Sequence, residues 1–274
     1  MALRPALALV ATRSVLDERL AALERRHGGR LGVSILDSRT GLRASHRGDE
    51  RFLMCSTFKL FAVAAVLARV DRGTEQLDQR VVFDKDVVLS YAPITSQHIG
   101  PPGLSVAALC DAAITLSDNT AANLLLQRLG GPSAVTAFAR SVGDSVTRLD
   151  RMEPELNRAS PGDRRDTTTP NAALATLDKL LLGNALSASS RAQLISWLRG
   201  CATGATKLRA GLPPGWAIGD KTGSGAQNET NDIGILYPPQ RAPVLVTAYY
   251  AGSSADSATR DAVLAEVGRI AASV

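Results

Sequence analysis

The sequence predicts an α/β (α+β) protein of two domains, with a sheet assembled from both chain ends and an all-helical domain inserted between them. Two observations predict this. Short alternating or β-branched segments occur within 31–47 and again after Gly204, whereas 56–200 is patterned for helices. The run Leu60 to Ala68 has no polar face, and a helix apolar all round belongs inside a domain. The pattern divides the chain into a start, 1–13, a sheet domain, 14–48 with 202–274, and a helical domain, 49–201.

Each element has its own signal. Met1 to Val10 carries one Arg and then a short apolar run, which fits the remnant of an export leader or a disordered start. From Ser14 to His27, Leu16, Leu20 and Leu23 share a helical face, with Ser14 as N-cap and Gly28-Gly29 as stop. Leu31 to Leu36 alternates as a strand, Asp37 to Gly41 turns, and Leu42 to Arg47 returns as a hairpin. Residues 73–96 are irregular, with Tyr91-Ala92-Pro93 exposed. Helices are predicted over 105–116 with Ser105 as N-cap, over 121–129 closed by Gly130-Gly131, and over 132–140 opened by Pro132. Further helices span 170–182 and 187–199. Between them, 141–169 is polar and holds Pro154 and Pro161; so long a stretch without secondary structure is usually functional. Strands return over 216–220, 233–237 and 244–250, and an amphipathic helix spans 258–272.

Composition narrows the function. The 274 residues are 45% hydrophobic and 21% charged, as in a soluble globular protein. The net charge of +5 is scattered and only 4% of residues are aromatic, which argues against a nucleic-acid partner. The longest apolar run ends at Arg69, Asp71 and Arg72, too short for a membrane span. Cys55, Cys110 and Cys201 have no C-x-x-C spacing and suggest neither a zinc site nor a disulfide framework. His27, His46 and His98 lie far apart in polar surroundings and read as surface residues. Neither a Ser-His-Asp triad, nor a metal site, nor a cofactor is expected.

The chemistry gathers at Cys55-Ser56-Thr57-Phe58-Lys59, which opens the apolar helix. Ser56 and Lys59, three apart, share a helical face, so hydroxyl and amine can meet. Burial disfavours the ammonium and makes a neutral, basic amine easier to reach. The free N–H groups of a helix start favour a developing negative charge. A nucleophile, a base and part of an oxyanion site thus fall within four residues. Three more motifs stand in polar settings: Ser117-Asp118-Asn119 between two helices, Glu153-Pro154-Glu155-Leu156-Asn157 in the long loop, and Lys221-Thr222-Gly223 at a strand end. Each alone reads as a cap, a charged turn or a strand end.

Taken together and in this order, S-x-x-K, S-D-N and K-T-G resemble the motif set of the class A serine β-lactamases. The resemblance runs from about Ser14 to the C-terminus and includes Arg148 to Asn157, close to that family's active-site loop signature. It implies a five-stranded antiparallel sheet flanked by helices, plus the helical domain, the active-site loop being 148–166. It implies Ser56, Lys59, Ser117, Glu153 and Lys221 as catalytic residues and a β-lactam as substrate, hydrolysed through an acyl-enzyme with a catalytic water. Asn119, Asn157, Thr222, Ser224, Tyr91 and Arg260 would bind substrate, Asn157 also helping to hold the water. Arg151 and Asp166 would pair across the loop, and Asn123 would pin it. A monomer in the periplasm or secreted is implied.

The chain also departs from the family. The partner position for a disulfide at Cys110 is Val63, and that for Cys55 is Gly225, so neither bridge is expected. Thr230 stands where many members carry a carboxylate-binding Arg, leaving Arg260 and Lys207 at alternative positions. Penicillins and cephalosporins are expected as good substrates. Ser224 and Arg260, with Thr230 in place of an Arg, resemble members that also hydrolyse oxyimino-cephalosporins, and the bare edge at Gly225 would admit a bulky acyl group. The missing Cys there, and with it the cross-link common in carbapenemases, leads us to expect carbapenems as slow substrates. Two other readings share the serine motifs. A penicillin-binding transpeptidase or carboxypeptidase would lack the deacylating Glu153 and Asn157. A β-lactam sensor would need an attached signalling or membrane segment, which is not expected here.

Overall fold

The computed structural model describes residues 3–158, 160 and 162–274. Met1 and Ala2 of the expected leader, and Pro161 of the loop, lie outside the described residues. In chain order the elements are α1 (Leu3–His27), β1 (Arg30–Asp37), β2 (Arg43–His46), β3 (Phe52–Leu53), α2 (Phe58–Asp71), β4 (Arg80–Val81), β5 (Leu104–Ser105), α3 (Val106–Thr115), α4 (Asn119–Leu129), α5 (Pro132–Ser141), β6 (Thr167–Thr168), α6 (Pro170–Leu181), α7 (Ala188–Arg199), β7 (Ala217–Ser224), β8 (Thr230–Tyr237), β9 (Val244–Ala251) and α8 (Ser257–Ala271).

The chain ends do pair. One antiparallel five-stranded sheet has the order β2-β1-β9-β8-β7, so the N-terminal hairpin lies beside the last strand. Alternation along β9 builds both faces. Val244, Val246, Ala248 and Tyr250 pack with Leu16, Leu20 and Leu23 of α1 and Val263, Leu264 and Val267 of α8. Leu245 and Tyr249 point the other way, into the core that contains α2. Every residue from Phe58 to Ala68 is buried, Lys59 included. Ser105, Asp118, Thr169, Ser187 and Asp256 cap the helices that follow them, each accepting from a backbone N–H three residues on. Among the described residues no helix is long and apolar enough to cross a membrane.

Several expectations are corrected. The first helix starts at Leu3 rather than at Ser14, which lies inside it and is not its N-cap, because Ala and Leu dominate there and Pro5 falls in the first turn, where its missing N–H costs nothing. The segment 141–169 is not structureless: Glu155–Asn157 forms a 3₁₀ turn and β6 pairs with β3. β7 runs on through Lys221-Thr222-Gly223 to Ser224, and β8 begins at Thr230 rather than Ile233. Of Tyr91-Ala92-Pro93 only Tyr91 is exposed, since Ala92 is buried. His98 is exposed, but His27 and His46 are half-buried, and His46 Nε2 lies 3.1 Å from Glu24 Oε2.

Candidate active site

Ser56 sits in a 3₁₀ turn, Cys55–Thr57, that runs straight into α2. Cys55 before it has φ +46°, a left-handed conformation that a non-glycine residue adopts only when its surroundings enforce it. Two anchors do so locally: Thr57 Oγ1 donates to Met54 O at 2.8 Å, and Asn231 Nδ2 of β8 donates to Met54 O at 3.1 Å. Lys59, one turn on, points its ammonium back towards Ser56 Oγ at 3.0 Å.

Lys59 Nζ is the hub of the cluster. It donates to Asn119 Oδ1 at 2.6 Å and to Ser117 O at 2.7 Å, and lies 3.3 Å from both Ser117 Oγ and Glu153 Oε1. Burial pushes its pKa down from the ordinary lysine value, and the Glu153 carboxylate opposes that shift. Glu153 Oε1 is also 3.5 Å from Ser56 Oγ. The Cys55 thiol is disfavoured as a thiolate, because burial and then the charges of Glu229 and Glu153 raise its pKa well above the ordinary value.

Ser117 lies between two amines. Its φ of +59° is a second strained backbone, and its Oγ accepts from Lys221 Nζ at 3.0 Å. Lys221 is fully buried; burial, and then the charge of Lys59, lower its pKa to about 8. The Asp118 carboxylate holds this turn. It caps α4 through Ala121 N and accepts from Ile94 N at 3.0 Å and Thr95 N at 2.9 Å. Tyr91 is tied in as well, its O accepting from Asn119 N at 3.1 Å and its hydroxyl donating to Leu116 O at 3.2 Å.

Glu153 is fixed from two sides. Asn123 of α4 forms a reciprocal pair with its backbone, at 2.9 Å in each direction, and Asn157 Nδ2 donates to Glu153 Oε2 at 2.5 Å. Asn157 Oδ1 is buried without a hydrogen-bond partner. The loop is closed at its neck by Asp166, which accepts from Arg151 Nε at 2.5 Å, Asp150 N at 2.7 Å and Arg151 N at 2.9 Å. Asp166 is fully buried, so its replacement by Asn puts an amide N–H₂ against N–H donors and strands the Arg151 charge. Asp166→Asn is expected to cost about 3 kcal/mol, read as a lowered midpoint of urea unfolding, and to slow turnover by loosening Glu153. An unchanged midpoint with unchanged turnover would remove the loop-closing role.

A cavity of about 340 Å³ opens on this cluster, lined among others by Ser56, Ser117, Asn119, Thr222 and Ser224. The strand end is admitted close to Ser56 by Gly223, where a Cβ would lie 2.9 Å from Met54 O. Tyr91 and Asn157 also line the cavity, whereas Lys59, Glu153 and Lys221 lie buried behind it. Arg260 is not part of the lining. Its guanidinium is turned to Ala255 O and to Thr230 Oγ1, the latter at 3.4 Å. Lys207 and Thr203 line the cavity instead, Lys207 paired with Asp261 and Thr203 Oγ1 2.6 Å from Thr222 Oγ1. Gly225 does not widen the pocket: a Cβ there would point inward, 2.1 Å from Glu229 Oε2 and 2.9 Å from Cys55 Sγ. Cys55, Cys110 and Cys201 are free thiols.

Fold and site together define a serine enzyme of acyl transfer, with a buried amine and a carboxylate both within reach of one hydroxyl. A profile of the β-lactamase enzyme family matches residues 15–274. The β-lactamase OXY-1 of Klebsiella oxytoca is 47% identical over 96% of this chain and 90% of its own length. The β-lactamase CTX-M-8 of Citrobacter amalonaticus has the same identity and coverage. The structure of an ancestral (GNCA) class A β-lactamase superposes with a TM-score of 0.91 at 61% identity, covering 93% of this chain and 98% of that one. The chain belongs to the β-lactamase enzyme family, as a class A serine β-lactamase.

Proposed function

We propose that Ser56 opens the β-lactam ring as nucleophile and that Glu153 drives hydrolysis of the resulting ester. The protein is a β-lactam hydrolase of the kind that confers antibiotic resistance. The observation that carries this division of labour is the position of Ser56 Oγ, 3.0 Å from Lys59 Nζ and 3.5 Å from Glu153 Oε1. Ser56 Oγ attacks the lactam carbonyl and its proton passes to the Lys59–Glu153 pair. The N–H groups of Ser56, in the first turn, and Ser224, at the end of β7, receive the oxyanion. The C–N bond breaks as Ser117 Oγ gives its proton to the ring nitrogen, and Lys59, which touches both hydroxyls, replaces it. A water held by Glu153 and Asn157 then attacks the ester; Glu153 takes its proton and Ser56 regains its own. The buried acceptor Asn157 Oδ1 fits such a water.

Asn119 and Tyr91 flank the acyl side chain of the substrate in this reading. Lys221, Thr222 and Ser224 face its carboxylate, with Lys207 beside them. Lys207→Ala is therefore expected to raise KM for cephalosporins about tenfold, the loss of a partly screened charge contact, whereas Arg260→Ala leaves it within about twofold. Equal effects of the two changes, or a larger one for Arg260→Ala, would reverse the assignment.

Lys221 gives the reaction an alkaline limit. Its pKa of about 8 lies below that of an exposed lysine, so the cation that attracts the substrate carboxylate is present below that pH and lost above it. The expected profile of kcat/KM falls as pH rises through about 8, as read in a spectrophotometric series across pH. A flat profile up to pH ~10, the range of an unperturbed lysine, would contradict a substrate-binding Lys221 of this kind.

The division into a sheet unit (14–48 with 202–274) and a helical unit (49–201), a monomeric state and a periplasmic or secreted location belong to the same proposal. The deciding assay is turnover of a chromogenic cephalosporin. Many product molecules per enzyme are expected. A single stoichiometric burst would favour a penicillin-binding or sensor protein.

A further inference from the structure

A second cavity, of about 590 Å³, shares none of its lining residues with the active site. It lies where the start of β1, β3, the end of the active-site loop and the β7–β8 turn meet. Three guanidinium groups line it: Arg30, Arg51 and Arg164. Arg30 is neutralised by Glu50 at 3.2 Å and lies 3.8 Å over the Phe52 ring. Arg51 and Arg164 have no acidic partner among the described residues. Among the described residues Arg51 donates to uncharged acceptors, Thr167 Oγ1 at 2.9 Å and Val146 O at 3.1 Å.

Of the two carboxylates that line the cavity, Asp163 is ion-paired and Glu229 is held by a backbone N–H. Asp163 accepts from Arg165 at 2.8 Å and Glu229 accepts from Gln227 N at 2.9 Å. Arg51 and Arg164 are therefore gathered here without an ion-pair partner among the described residues, opposite one carboxylate, Glu229, that no cation neutralises among them. Burial, and then the charges of Arg164, Arg148 and Arg140, lower the Arg51 pKa, with Asp144 opposing. Concentrated positive charge in a walled cavity raises the local concentration of anions. The planar guanidinium fork matches tetrahedral oxyanions, which accept two parallel N–H bonds.

We propose that this cavity binds a multiply charged oxyanion of the phosphate class, held by Arg51 and Arg164. Such an anion would brace the neck of the active-site loop. Arg51 precedes β3 and Thr167 begins β6, and the next residue after β3, Met54, donates its N–H to Asp166 O at 2.9 Å. The inference is independent of the hydrolytic reading, because its evidence lies outside the Ser56 site.

The test is the melting temperature in inorganic phosphate against sodium chloride of equal ionic strength. The wild type should show a saturable rise. Arg164→Gln, an exposed change, should raise the half-saturating phosphate concentration about tenfold, the loss of one charge-assisted contact. Its phosphate-free turnover should equal that of the wild type. Arg164→Lys, which keeps the charge, should retain most of the response. Arg51→Gln should weaken the response likewise, and if it fails to fold, the Arg164 pair decides. A wild type with no saturable rise, or an Arg164→Gln protein that responds as the wild type does, would overturn the proposal.

Discussion

Ser56→Ala is expected to lower β-lactam turnover on the order of a millionfold, the scale of nucleophile loss in another serine hydrolase, while leaving the fold intact. The covalent route needs the one oxygen that is removed, and no neighbour can replace it. Cys55 is buried with its thiol pKa raised, and Ser117 Oγ is engaged by Lys221 at 3.0 Å. Folding should change by no more than about 1 kcal/mol. Lys59 keeps Asn119, Ser117 O and Glu153 as partners, so no buried charge is stranded. Turnover near the wild-type rate in Ser56→Ala, followed with a chromogenic cephalosporin, would rule out Ser56 as the nucleophile.

Glu153→Ala is expected to separate the two halves of the reaction. Burial alone pushes the Lys59 amine towards its neutral form, and Glu153 is the main group opposing that shift. Without the carboxylate, Lys59 becomes a readier proton acceptor 3.0 Å from Ser56 Oγ, so acylation continues. Deacylation loses its general base, a step for which such a group supplies about 10²–10⁴-fold. Steady-state turnover should fall by that order while the first turnover survives as a burst. Loss of burst and turnover together would mean that Glu153 is indispensable to acylation too.

How much of this could be read in advance depended on how local the cause was. The buried character of α2 follows from an unbroken apolar run, and the caps Ser105 and Asp256 are set by contacts three residues away, although of the two only Ser105 adjoins the helix start that the pattern predicts. Ser56 and Lys59 meet because one helical turn joins them. The extension of β7 through Lys221-Thr222-Gly223-Ser224 was not legible, since Lys and Gly are poor strand formers. Pairing with Thr230 to Ile233 of β8 holds it in place. Asp118 carried a local signal as the N-cap of α4, but its second task, holding Ile94 and Thr95 and so the Tyr91 segment, needs the folded chain. Lys207 and Thr203 join the pocket from an irregular segment after α7, where neither periodicity nor spacing marks them. Only the resemblance points to Lys207. The reading of Gly225 as an open edge failed because the direction of its missing Cβ, towards Glu229, is set by the β7–β8 turn.

Ser56 is expected to carry the acyl group and Glu153 to be needed for its removal. Intact-protein mass spectrometry of Glu153→Ala, quenched after brief mixing with a penicillin and followed by peptide mapping, tests both parts at once. One adduct of the full mass of the penicillin, mapped to Ser56 and persisting while the wild type shows none at the same time point, is the expected result. An unmodified protein, or an adduct on any other residue, would contradict the account.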